Sequence, residues 1–333
     1  MFKSVFIKLK NLILPSLVCL FILCLLLFSK DNLVAAKSGL SLWANSVLPS
    51  LFPFFIATEL LGYTNIVSIL GKFLEKIMRP VFNVPGEGSF ALIMGSISGY
   101  PVGAKIVSNL KEQKICSEIE AERLIAFTNN SGPLFIIGTI GISMFSSFSI
   151  GMKLFVAHIL ACLTVGFLFR WWKKSYEKSK RNTTLSYEKS TLNLDNLGEI
   201  LQKSILSSIN TILIIGGFVV LFSIIISILN SSQIIYIISN FLKLFLEIPN
   251  NFFISIITGF IEVTNGISFI CSLASESITF KLVLCSFVLG FGGFSVLLQV
   301  LSITSKSEIP IKPYFIGKLL QGIFAAIYVS FLI

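Results

Sequence analysis

The chain has 333 residues, 54% of them hydrophobic and 13% charged, with a formal net charge of +10. A mean hydropathy of +0.89 lies far above what a water-soluble domain needs, and the Lys and Arg residues sit in short segments between apolar runs rather than on one continuous face, which sets nucleic acid aside as a partner. A bilayer core of roughly 30 Å takes about 20 apolar residues in a helix, and the chain supplies such stretches repeatedly, so the lipid bilayer is its solvent and an all-α polytopic membrane protein is expected.

In chain order, the first apolar run covers 11–29, after Lys3, Lys8 and Lys10. It is long for the h-region of a signal peptide ending near Val34-Ala35-Ala36, and reads as a retained helix followed by a loop to residue 39. A second span covers 40–63. Ile66, Ile69, Leu70, Phe73, Leu74 and Ile77 then form a stripe opposite Lys72, Glu75, Lys76 and Arg79, the pattern of an interfacial helix, with 234–248 as its apolar counterpart. Further uninterrupted spans cover 150–172, 203–229 and 313–333. Four apolar segments are interrupted: 88–110 by Ser98-Gly99-Tyr100-Pro101, 119–145 by Asn129-Asn130-Ser131-Gly132-Pro133, 250–273 by Glu262-Val263-Thr264-Asn265-Gly266, and 280–304 by Gly290-Phe291-Gly292-Gly293. Between the spans, 173–199 is rich in Lys, Ser, Thr and Asn without apolar periodicity, and reads as a cytoplasmic linker.

The interruptions carry the information. Pro removes a helix hydrogen bond and Gly weakens the helix, so a break at membrane depth frees backbone groups that lipid cannot satisfy; it must be buried in protein or line a watery cavity. The arms of 88–110 and 250–273 hold roughly nine residues each, about 13 Å, which reaches only mid-membrane. Read as re-entrant hairpins, they leave about seven spans and place the basic N-terminus and the clusters around Lys72, Lys111 and Lys173 all on the cytoplasmic side. Sliding one half over the other at a constant offset aligns Pro85 with Pro249, Gly95 with Gly259, Phe127 with Phe291 and Ser131 with Ser295. The layout is then an N-terminal helix and loop (1–39), a first repeat (40–172), the linker (173–199) and a second repeat (200–333). Each repeat crosses an odd number of times, so the repeats are inverted, with paired broken helices meeting at mid-membrane as in many secondary transporters.

Helix ends exposed at a break offer free N–H groups to anions and free C=O groups to cations. The candidate solute ligands are Ser98, Tyr100, Lys105, Asn129, Asn130 and Ser131 in the first half, and Thr264, Asn265, Ser295 and Gln299 in the second. Glu262 is the sharpest single residue: a carboxylate inside an apolar segment is costly and marks an ion path, so it is assigned to a coupling ion, a proton or sodium. His158, alone in its span, suits packing or helix–helix hydrogen bonding. The six cysteines show no CxxC spacing, and no nucleophile, metal or phosphate-loop pattern stands out, so neither a cofactor, a metal site nor an enzyme is indicated.

FALIMGSISGYPVGAKIVSNL from Phe90, FTNNSGPLFIIGTIG from Phe127, GFIEVTNGI from Gly259 and GFGGFSVLLQV from Gly290 resemble the YlbJ (SpoVV) sporulation membrane proteins of endospore-forming bacteria. The resemblance extends over 10–333. It implies a Gate domain shared with concentrative nucleoside transporters, whose fold has re-entrant hairpins and broken helices in an inverted repeat. It also implies transport of dipicolinate from the mother cell across the outer forespore membrane. Fold analogy alone leaves open a nucleoside transporter, or a membrane protein for spore cortex assembly that transports nothing; it leaves homo-oligomerisation open too.

Overall fold

The computed structural model describes residues 2–174, 196–245 and 250–333. Their helices are α1 (Phe2–Leu27), α2 (Ser29–Leu42), α3 (Leu48–Leu61), α4 (Ile66–Ile77), α5 (Gly88–Ser98), α6 (Val102–Glu112), α7 (Glu118–Thr128), α8 (Phe148–Phe169), α9 (Leu197–Ser231), α10 (Ile234–Lys243), α11 (Asn250–Ile261), α12 (Val263–Ser272), α13 (Ile278–Phe291), α14 (Gly293–Thr304) and α15 (Ile311–Leu332). A π-helical segment, Leu134–Met144, follows α7. Among the described residues, four helical stretches are long and apolar enough to cross a bilayer: 148–169, 197–231, 278–304 and 311–332. Pro249 and most of the 173–199 linker lie outside the described residues.

One boundary differs from expectation. The loop placed between the first two spans is helical: α2 begins at Ser29 and passes through a π turn at Trp43–Val47 into α3. Pro49 and Pro53 lack N–H donors, and a wider turn just before them accommodates the missing bonds. The polar start of α2 holds because Asn32 donates to the Cys24 carbonyl (3.1 Å) and Asp31 accepts from Ser231 (2.9 Å). α1 bends away from α2 by 99°; its leucines, from Leu12 to Leu27, are largely exposed, as lipid-facing side chains are. α4 turns 84° from α3, and its Ile69, Phe73 and Ile77 are exposed while Val67 and Gly71 pack inward, the posture of a helix lying in the membrane surface.

The second half repeats the order of the first: long helix, short amphipathic helix, helical hairpin, broken helix, long helix. α2–α3 runs antiparallel to α9, since Asp31 meets Ser231, Gly39 packs on Ser223, and Ser207 donates to Glu59 (3.2 Å). At one end of the bundle the α6–α7 turn, the end of α8 and the start of α15 come together. There Ser108 donates to Ser307 (2.7 Å), Lys111 to the Glu308 carbonyl (3.0 Å) and Arg123 to the Trp172 carbonyl (2.9 Å). α8 therefore arrives where α15 departs, and the corresponding helices of the two halves point in opposite directions.

The hairpins enter from opposite ends. α5–α6 opens at the end just described, tied there through Gly86, whose N–H reaches Glu75 (2.5 Å), and through Arg79, which pairs with Glu120. α11–α12 opens at the other end, where Cys271 meets Met144 (4.0 Å). Close packing of each pair needs glycine. A Cβ at Gly95 would lie 2.9 Å from Gly103 Cα, and one at Gly266 would lie 2.7 Å from Gly259 N. Each tip rests on the break of the next helix: Gly99, at φ +84°, against Gly132, and Glu262 against Gly293, at φ +80°.

Lys72, Lys76, Arg79, Lys111, Lys114 and Lys173 all lie at the end where α8 arrives, and the bias of Lys and Arg in membrane proteins makes the cytoplasm the expected side for that end. In a cysteine-free background, a membrane-impermeant thiol reagent applied to intact cells is expected to label Ser275→Cys and spare Glu118→Cys, both at exposed positions. Labelling of Glu118→Cys would reverse the orientation. Native Cys116 makes a poor reporter for that turn, because burial pushes its thiol up to about 12.

Candidate functional site

Where the tips and breaks converge there is a cavity of about 110 Å³, several times the space one water needs. The first half contributes Gly99, Tyr100, Ser131, Gly132 and Phe135; the second contributes Glu262, Val263, Thr264, Ser295 and Gln299. Leu42, Val47 and Leu51 of the α2–α3 helix, with Ile215 and Val219 of α9, close it with an apolar wall. The offset that pairs Ser131 with Ser295 also pairs Tyr100 with Thr264, so two symmetry-related pairs of polar residues face the same space.

The Glu262 carboxylate caps α12. It accepts from the N–H groups of Thr264 (3.0 Å) and Asn265 (2.7 Å), which is what the start of a half-helix in a dry environment requires. The residue is 3% exposed, and its side chain forms part of the cavity wall. In the first half the matching helix start, α6, has no carboxylate; the Ala104 N–H points to the Asn129 side-chain oxygen at 3.4 Å. α14 starts at Gly293 with no side-chain cap, and the buried Ser295 hydroxyl beside it has no hydrogen-bond partner. The cavity thus offers an open helix N-terminus with an unused hydroxyl, suited to an anionic group.

Five of the sequence candidates sit elsewhere. Ser98 bonds Thr58 (3.1 Å) behind the first tip. Lys105 pairs with Glu59 (2.5 Å) and donates to Ser207 (2.8 Å) and Thr211 (3.1 Å), tying α6 to α3 and α9 at a smaller space of about 30 Å³. Asn129 donates to Tyr314 (3.2 Å). Asn265 meets Glu262 through both its backbone N–H and its side chain. Asn130 is the centre of a buried network: it donates to the Phe127 carbonyl (2.9 Å) and Ser96 (3.3 Å), and accepts from Gln321 (2.8 Å) and Lys318 (3.3 Å). His158 accepts the Ser131 N–H (3.3 Å) in the same network, the helix–helix role its isolation suggested.

Lys318 and Gln321 escaped the reading of the sequence because 313–333 looked like an ordinary span. The signal was present: a cation and an amide one turn apart inside an apolar 22-residue helix, a pairing that lipid does not tolerate on an exposed face.

A family model described as Gate, nucleoside recognition, matches residues 44–159. Over 313 residues the chain is 41% identical to the sporulation integral membrane protein YlbJ of Bacillus subtilis (strain 168), covering 90% of this chain and 76% of that protein. The chain belongs to the YlbJ family. A member of that family is a sporulation integral membrane protein, and the broken helices and the cavity between the repeats are those of a transporter-like architecture. No solved structure matches the chain.

Proposed function

We propose that this YlbJ-family protein moves a small anionic solute, dipicolinate, from the mother cell across the outer forespore membrane by alternating access. The observation that carries the proposal is the cavity at the meeting of two oppositely inserted hairpin tips, with polar side chains from both halves. A solute held between inverted repeats is released to either side as one repeat tilts against the other. The apolar wall of Leu51, Phe135 and Val219 suits the face of an aromatic ring, while Ser131, Ser295 and the open start of α14 suit its carboxylates. Glu262 repels a dianion when ionised, and serves instead as the site of a coupling proton or sodium ion. The basic end faces the mother-cell cytoplasm. A crossing by α1 brings the N-terminal lysines to that end too, because α2 starts at the other.

The description of the Gate domain favours a second reading, in which the solute is a nucleoside. Uptake of labelled dipicolinate into proteoliposomes, with nucleosides as competitors, separates the two. The expected result is saturable uptake that unlabelled dipicolinate blocks and uridine does not. Uptake of labelled uridine without uptake of dipicolinate would assign the cavity to nucleosides, and no uptake of either would point to a non-transporting role in cortex assembly.

A further inference from the structure

We infer that Lys318 is the positive charge that makes this cavity select anions over neutral solutes of the same shape, acting across the Tyr100 ring rather than by direct contact. The inference rests on the anionic-solute reading above and names the residue that would enforce it.

Lys318 lies midway along α15 and is 1% exposed. Its ammonium donates to Gln321 Oε1 (2.7 Å) and Asn130 Oδ1 (3.3 Å), and it stands over the rings of Tyr100 (5.5 Å) and Tyr314 (5.8 Å). An ammonium has three protons to donate; two are taken by neutral amides, and the Tyr100 and Tyr314 rings beside it attract a cation without neutralising it, while the nearby His158 and Cys162 carry no fixed negative charge. Among the described residues no carboxylate lies within salt-bridge distance. The contrast with Lys105, which is paired with Glu59, is direct.

Two routes connect this charge to the cavity, each through a single residue. Tyr100, beneath the ammonium, is itself part of the cavity wall, and its hydroxyl, bonded to the Leu289 carbonyl (3.0 Å), borders Gly292 at the start of α14. Asn130, which accepts from Lys318, precedes Ser131 in the same wall. Over such distances in a water-poor interior a unit charge is weakly screened. An anion in the cavity therefore gains from Lys318, whereas a neutral solute does not. Unpaired charges inside membrane segments are costly and mark functional sites, and a purely structural lysine here would be expected to have a carboxylate beside it.

The test measures equilibrium binding of pyridine-2,6-dicarboxylate and of its neutral analogue pyridine-2,6-dimethanol to the purified full-length protein. The parent is expected to prefer the dianion. Lys318→Gln is expected to weaken dianion binding about tenfold or more, with dimethanol affinity nearly unchanged, while Lys318→Arg keeps the parent's preference. Gln321→Glu provides a second route that leaves Lys318 in place: it sets a carboxylate where the amide oxygen now accepts from the ammonium, at the loss of the N–H that Asn130 Oδ1 accepts, neutralises the charge, and is expected to lose the same preference in the protein that folds. A change in protein amount alone would move both ligands together. If the parent prefers the dianion and neither Lys318→Gln nor Gln321→Glu reduces that preference, the assignment of Lys318 is overturned and the anionic-solute reading stands. If the parent binds the two ligands equally, both fall.

Discussion

Alanine at Asn130 is expected to remove most of the folded protein from the membrane, whereas alanine at Ser131 leaves the amount intact and lowers transport per molecule. The two neighbours occupy different places. Asn130 points into the packed interior, where its amide donates to Phe127 and Ser96 and its oxygen accepts from Gln321 and Lys318. A hydrogen bond between transmembrane helices averages only about 0.6 kcal/mol in double-mutant cycles, because the separated helices find other partners. That average does not transfer to this position. Truncation here takes one of two acceptors from the Lys318 ammonium, which keeps Gln321, and leaves the Gln321 amide without that acceptor; each buried polar group left unmet costs about 1–3 kcal/mol, and two together are a large part of a domain stability of about 5–15 kcal/mol. Ser131 contributes its backbone N–H to His158, which alanine preserves, and its side chain to the cavity wall. Monodisperse yield and thermal unfolding in detergent, set beside uptake per folded molecule, separate the two effects. Equal losses of amount and activity in both variants would place Ser131 in the structural network and take it out of the site.

The contrast between these neighbours shows what the sequence can and cannot display. The breaks are legible because Gly, Pro and clustered polar residues violate the rule that a helix in lipid satisfies its own backbone. Each predicted interruption contains a break between two helical segments, but the breaks are shorter than predicted: Ser98 belongs to α5, Val263–Gly266 to α12, Gly290 and Phe291 to α13, and Gly293 to α14. The pairing of Ser131 with Ser295 likewise falls on one cavity. Which way a polar side chain turns at a break is not legible, since it depends on what the neighbouring helix presents. Asn129 turns to Tyr314 and Ser98 to Thr58 because those partners come from distant helices. Lys105, a candidate ligand one turn past the first tip, is drawn by Glu59 toward α3. The helical course of 29–39 was hidden for a related reason: its polar residues read as a loop, and only the packing of Gly39 on Ser223 and the bond from Ser231 to Asp31 reveal a helix laid along α9. Lys318 was legible in principle but was outweighed by the hydrophobicity of its span.

Glu262→Gln is expected to uncouple accumulation from exchange. The carboxylate has about four acceptor positions. Two are taken by the N–H groups of Thr264 and Asn265 and the side chains of the same two residues also bond the carboxylate, so a cation at the cavity wall would take the place of one of those side-chain donors. A proton or sodium ion bound there alters the group that holds the start of α12, and so links ion occupancy to the geometry of the second hairpin tip. The two N–H groups go to different carboxylate oxygens, so the single oxygen of glutamine keeps one bond and loses the other, and the cap survives in part at a cost of about 1–3 kcal/mol. Alanine leaves both N–H groups bare in a dry site, at about 1–3 kcal/mol each, and is expected to reduce folded protein instead. In proteoliposomes the Gln variant should still exchange labelled for unlabelled solute between equal pools, because a permanently neutral side chain does not block the tilting of one repeat against the other. It should fail to build a solute gradient from an imposed pH gradient if the coupling ion is a proton, or from a sodium gradient if the ion is sodium. Loss of exchange together with accumulation would mean that Glu262 contacts the solute. Full accumulation under both gradients would leave Glu262 as a helix cap alone and move the coupling site elsewhere.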